Sequence, residues 1–166
     1  MRRNSFRLTL GHETWMYSIA GALFLTGAIW LVFHYFVRIE GAFGPAPHPL
    51  EQWWLRLHGA AAFAMLFLLG TIAVTHARQA WAARRNRVTG AIMASLNALL
   101  VVTGYLLYYS GGEMSRETIS VLHWVLGLGF PLVIITHVLK GRALRRSAES
   151  AIRRQAPVSA DLRIPS

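Results

Sequence analysis

The chain has 166 residues, 54% of them hydrophobic and 14% charged, a balance that excludes an ordinary soluble domain. It has no cysteine, which excludes thiolate-held iron–sulfur clusters, a haem attached through Cys-x-x-Cys-His, disulfides and thiol catalysis. The net charge of +10 is spread between apolar runs and not gathered on a nucleic-acid motif, so no nucleic acid is expected as a partner.

Four runs free of Lys, Arg, Asp and Glu reach spanning length, about residues 15–37, 53–76, 88–110 and 119–139, against the roughly 20 residues a crossing needs. The expected fold is therefore an all-α integral membrane protein, a four-transmembrane-helix bundle over residues 1–146. The basic residues sort by membrane side. Three precede the first span, four lie between spans two and three (Arg78, Arg84, Arg85, Arg87) and seven follow span four, against Arg38, Arg56 and Arg116 in the other two connections. The positive-inside rule then puts both termini in the cytoplasm of a multi-pass protein of the bacterial inner membrane, with the 38–52 and 111–118 loops outside.

In chain order, a short basic arm, residues 1–13, carries His12 at the membrane edge. Span one is too long for a signal peptide and lacks a small-residue cleavage pattern, so it reads as a retained helix. It bears Ser18, Gly21, Thr26 and Gly27, small or hydroxylated residues that let helices approach closely, and His34 near its outer end. The loop 41–49 is rich in Gly and Pro and is expected to be non-helical, with His48 at the surface. Trp53 and Trp54 mark the outer interface.

Span two has His58 near its start and His76 near its end, 18 residues or five turns apart and so on one face, with Ala62, Met65, Leu69 and Ile72 between them. Span three has no histidine; its Asn97 is expected to bond between helices, and Tyr105, Tyr108 and Tyr109 to sit in the aromatic belt. Span four carries His123 and His137, 14 residues apart on nearly one face, with Gly127 a turn from His123 and Pro131 predicted to kink the helix. From Ser147 the chain turns polar, and residues 147–166 are expected to be a disordered tail.

Alternating spans make two and four parallel, which brings His58 and His123 to the outer level and His76 and His137 to the inner. Histidines are scarce in hydrocarbon and usually functional there. Two imidazoles facing each other at each of two levels match the needs of two bis-histidine haems, which bring their own iron and ask the protein for axial nitrogens, an apolar slot and counter-charges. Gly127 leaves room for a porphyrin edge, and Arg56 and Arg78 are candidate partners for haem propionates.

The segment Leu122-His-Trp-Val-Leu-Gly127 with Thr136-His137, the 14-residue histidine spacing and the answering histidine at the start of span two resemble the four-helix membrane dihaem b-type cytochromes. These include the cytochrome b subunits of formate dehydrogenases and hydrogenases and the small bacterial quinol-linked b cytochromes. The resemblance covers residues 15–140. It implies two b haems, with His58 and His123 on the outer and His137 on the inner. It also implies electron transfer between the quinone pool and a partner redox subunit, such as a cytochrome c or a membrane oxidoreductase. The second inner ligand is His76 by helix register, with His12 the alternative that the formate-dehydrogenase-like members suggest. His34 is a possible quinone-site residue. Two other readings stand beside this one: a haem-free membrane anchor or assembly subunit of a larger complex, and a quinol oxidoreductase in its own right. No hydrolase triad, P-loop or metalloprotease motif is present.

Overall fold

A backbone in hydrocarbon has no hydrogen-bonding partner but itself, so long charge-free runs become helices. The computed structural model describes residues 10–84 and 86–155. It contains four helices long and apolar enough to cross a membrane. They begin and end differently from the expected spans. Helix α1 covers Leu10–Phe36 and takes in the last residues of the expected arm. A two-stranded antiparallel hairpin follows, β1 (Arg38–Gly41) and β2 (Gly44–Pro47), in the loop expected to be non-helical. Gly41 faces Gly44 across its mouth, where a Cβ would come within 2.9 Å of the Gly44 carbonyl, and Gly44 has φ +111, so both places require glycine.

Helix α2 (Pro49–Ile72) starts at Pro49, the first-turn position where a missing N–H costs nothing, and His48 caps it by accepting from the Leu50 N–H at 3.1 Å. His48 is thus a helix cap. The chain runs on through a π-helical segment, Ala73–Ala77, into the short α3 (Arg78–Ala82). Asn86, in the left-handed conformation, leads into α4 (Arg87–Tyr109). Arg87 closes that turn with two hydrogen bonds to the Trp81 carbonyl, at 2.9 and 2.7 Å.

Helix α5 (Glu113–Gln155) is continuous through Pro131 and extends into the stretch expected to be disordered. Residues 147–155 are therefore helical, with Arg145 and Glu149 3.8 Å apart on successive turns, while 156–166 lie outside the described residues. The tail prediction treated polarity as disorder, but Ala, Arg, Glu and Gln are good helix formers and simply continue a helix already nucleated in the apolar run.

Helix α1 packs along α2, and α4 along α5, as two antiparallel hairpins joined through α1 and α5. The core draws one buried residue from each long helix, Ala20, Met65, Leu96 and Phe130, with Leu23, Leu69, Leu100, Leu126 and Val133 packed around them. The Met65–Leu69 stripe of α2 faces inward as expected. Asn97 instead turns back on its own helix, donating to the Met93 carbonyl at 2.8 Å, because the i−4 carbonyl is always within reach of a short side chain.

Candidate functional site

Helix faces set by the core carry four histidines to the inside, two toward the hairpin end and two toward the Asn86 end. At the hairpin end His58 of α2 and His123 of α5 face each other, ring centroids 6.3 Å apart and planes at 87°. Toward the other end, His76 lies in the π segment that follows α2 and His137 lies in α5. All four are half-buried.

Three of the four imidazoles are held through Nδ1 by a threonine of the neighbouring helix. Thr26 Oγ1 of α1 lies 3.1 Å from His58 Nδ1, Thr103 Oγ1 of α4 lies 2.8 Å from His123 Nδ1, and Thr89 Oγ1 lies 2.9 Å from His137 Nδ1. The hydrogen bonds assign the tautomer at the hairpin end. His58 Nδ1 is also 3.0 Å from the Leu23 carbonyl, which can only accept, so Nδ1 carries the proton. Thr103 donates its single hydroxyl proton to the Leu99 carbonyl at 2.7 Å, so it accepts from His123 Nδ1. In both rings Nε2 is left with its lone pair, the state a metal ligand needs.

Each of these threonines is followed by glycine, and the glycine is where the imidazole packs. A Cβ on Gly27 would stand 3.1 Å from His58 Cε1, one on Gly104 3.4 Å from His123 Cε1, and one on Gly90 3.9 Å from His137 Cε1. Thr-Gly therefore forms a cradle in which the hydroxyl fixes the ring and the absent side chain lets it approach. The dipeptide occurs three times in the chain, and each copy cradles a histidine. The copies in α4 are 14 residues apart, matching His123 and His137 on the antiparallel α5. Sequence reasoning valued Thr26 and Gly27 only as small residues and missed Thr89 and Thr103.

His76 differs. It lies in the π segment, whose wide turn sets its direction in place of straight α-helical register, and its Nδ1 is buried without a hydrogen-bond partner among the described residues. Wide π turns of this kind recur at functional sites. His12 sits exposed in the first turn of α1, whereas His76 is half-buried.

A Cβ on Gly127 would stand 4.0 Å from Leu100 Cδ2, an ordinary contact, so this glycine lies beside α4. The Arg56 guanidinium lies over Trp53, 5.1 Å from the ring centre, and Arg78 is exposed just past the π segment. His34 pairs with Glu51, a residue that the sequence placed simply in an outer loop.

Among the described residues no three His, Cys, Asp or Glu side chains gather to hold a metal ion, so the imidazoles stand as pairs. His58 and His123, facing each other with Nε2 unprotonated in both rings, are the pair that would hold a metal-bearing group here, which would supply one-electron chemistry. No protein-family model, no curated protein and no solved structure matches this chain.

Proposed function

We propose that the protein is an electron-transfer cytochrome of the b type in the bacterial inner membrane. It carries two bis-histidine haems, His58 and His123 holding one and His76 and His137 the other. The observation that carries this reading is the His58–His123 pair, 6.3 Å between ring centres with both Nδ1 protons engaged by neighbouring helices. When bound, haem supplies a one-electron iron couple that stays within an apolar surround.

The chain's own residues do the rest. Leu23 and Thr103 accept the Nδ1 protons, which fixes ring orientation and makes Nε2 a stronger ligand. The Met65 and Phe130 core between the two levels keeps water from them. The basic stretches at residues 78–87 and after 140 orient that end to the cytoplasm. Electrons would pass between the quinone pool and a partner redox protein, across two levels of one bundle.

The test is the haem-to-protein ratio of the purified full chain, from a pyridine haemochrome assay with a reduced-minus-oxidised spectrum. The expected ratio is two, falling to one in His58→Ala or His123→Ala and to one in His76→Ala. Absence of b-type absorption with haem supply adequate sinks the reading and leaves the membrane anchor. Retention of two haems in His76→Ala with loss of one in His12→Ala transfers the inner ligation to His12.

A further inference from the structure

The hairpin end holds a second cluster, apart from the paired imidazoles. His34, in the last turn of α1, donates from Nδ1 to Glu51 Oε1 at 2.7 Å. Glu51, in the first turn of α2, is 7% exposed, and its other oxygen, Oε2, is buried with no hydrogen-bond partner among the described residues. Three residues along α2, the Trp54 indole N–H is buried and unpartnered as well. Orphaned buried polar atoms are few in native proteins, and each asks for a partner. Here the chain leaves an anionic acceptor and a neutral donor within one helical turn of each other.

A buried carboxylate oxygen is best satisfied by a cationic N–H, which makes a shorter and stronger hydrogen bond than a neutral donor. The cation that the chain offers on this stretch of α2 is committed elsewhere, since the Arg56 guanidinium lies over Trp53, 5.1 Å from the ring centre. A metal ion is disfavoured, because among the described residues no three His, Cys, Asp or Glu side chains gather to hold one. The partner that fits is an ammonium from outside the chain. Sequence neighbours of all three members, Phe36, Leu50 and Trp53, are apolar and exposed. On helices apolar enough to cross a membrane, such positions at the helix ends belong to the lipid surface. The His34 side chain is 37% exposed and that of Glu51 9%, so the pair reaches from the interior toward that surface.

We propose that Glu51, His34 and Trp54 form a head-group site for phosphatidylethanolamine, a lipid with a primary ammonium two carbons from its phosphate. The site rests on the membrane reading of the four helices and not on haem. Rotation of the half-exposed His34 ring admits the head group between the end of α1 and the start of α2. The ammonium donates to Glu51 Oε2, and a phosphate oxygen accepts from the Trp54 N–H. The two-carbon link keeps both contacts within one helical turn, about 5.4 Å. A choline head group carries no N–H and leaves Oε2 orphaned. A glycerol head group carries no cation.

The test is lipid binding to the purified full chain in dodecylmaltoside, counted by native mass spectrometry. The probes are phosphatidylethanolamine, phosphatidylcholine and phosphatidylglycerol with identical acyl chains. One phosphatidylethanolamine is expected to bind roughly tenfold or more tightly than either of the others, the scale of one charge-assisted hydrogen bond. Glu51→Gln, which keeps the shape and removes the charge, is expected to reduce that preference to about threefold or less. Trp54→Phe, which keeps a ring and deletes the donor, should weaken the ethanolamine and choline lipids alike and leave the preference between them. Equal affinity for those two lipids in the unaltered chain overturns the proposal, and this comparison needs no variant, so it stands if Glu51→Gln fails to fold. A preference that survives Glu51→Gln also overturns it, as does equally tight binding of free phosphoethanolamine, which would make the acyl chains irrelevant. A chain that stays in solution without detergent would sink the membrane reading, whereas a detergent-requiring chain with no head-group preference sinks this site alone.

Discussion

A threonine hydroxyl has one proton, and where it goes decides what the neighbouring imidazole can do. Thr26 and Thr103 point theirs at carbonyls of their own helices, 2.7 Å away in each case, which turns the oxygen into an acceptor for a ring N–H. Thr103→Val keeps the shape and strands His123 Nδ1–H. Haem affinity at that level is then expected to fall about 10- to 100-fold, the usual effect of losing such an outer partner. Titration of haem into the stripped protein measures it, and Thr103→Ser, which restores the oxygen, should recover most of the loss. The histidines themselves were legible in the sequence because charge-free runs make every polar ring conspicuous. The threonines were not, because a threonine in an apolar helix usually bonds only its own backbone. What marked them was repetition, three Thr-Gly pairs with two of them at the histidines' own spacing. Asn97 was misread for the related reason that its own helix offered the nearest carbonyl.

Helices were legible in existence and order, since length and apolarity alone dictate them, but not in their interruptions. Nothing in Ala73-Val-Thr-His-Ala77 announces a π segment, because its local composition suits an α-helix equally; the wide turn belongs to how α2 meets its neighbours. The face shared by His58 and His76 rests on uninterrupted register, so this segment is where that register is reset. Deleting Ala73 should close it into an ordinary α-helix and turn His76 away from His137. The expected outcome is a haem-to-protein ratio of one, with the His58–His123 level intact; a ratio of two would show that the π turn does not aim the ring. The hairpin was likewise only half legible. Gly and Pro between residues 41 and 49 excluded a helix, while the pairing of Arg38 with Pro47 depended on the ends of α1 and α2 being brought together.

At the scale of the molecule, two antiparallel helix hairpins each present imidazoles to a common interior, and the cradles lie on the partner helix of the same hairpin. In the proposed cytochrome, ligation across the interior would tie one hairpin to the other. The levels in α5 are 14 residues apart, about 21 Å along the axis, or some two-thirds of a hydrocarbon core of about 30 Å. With a haem at each level, as proposed, that separation would make the protein an electrical element. An electron moving from one level to the other crosses most of the membrane's field, so a potential of 100 mV is expected to change the balance between the two irons by about 1.6 kcal/mol. In sealed vesicles, imposing a diffusion potential on a half-reduced sample should move the spectral weight between the two haems, and reversing its polarity should reverse the movement. The bundle would then couple the rate at which charge passes through it to the voltage it helps to maintain.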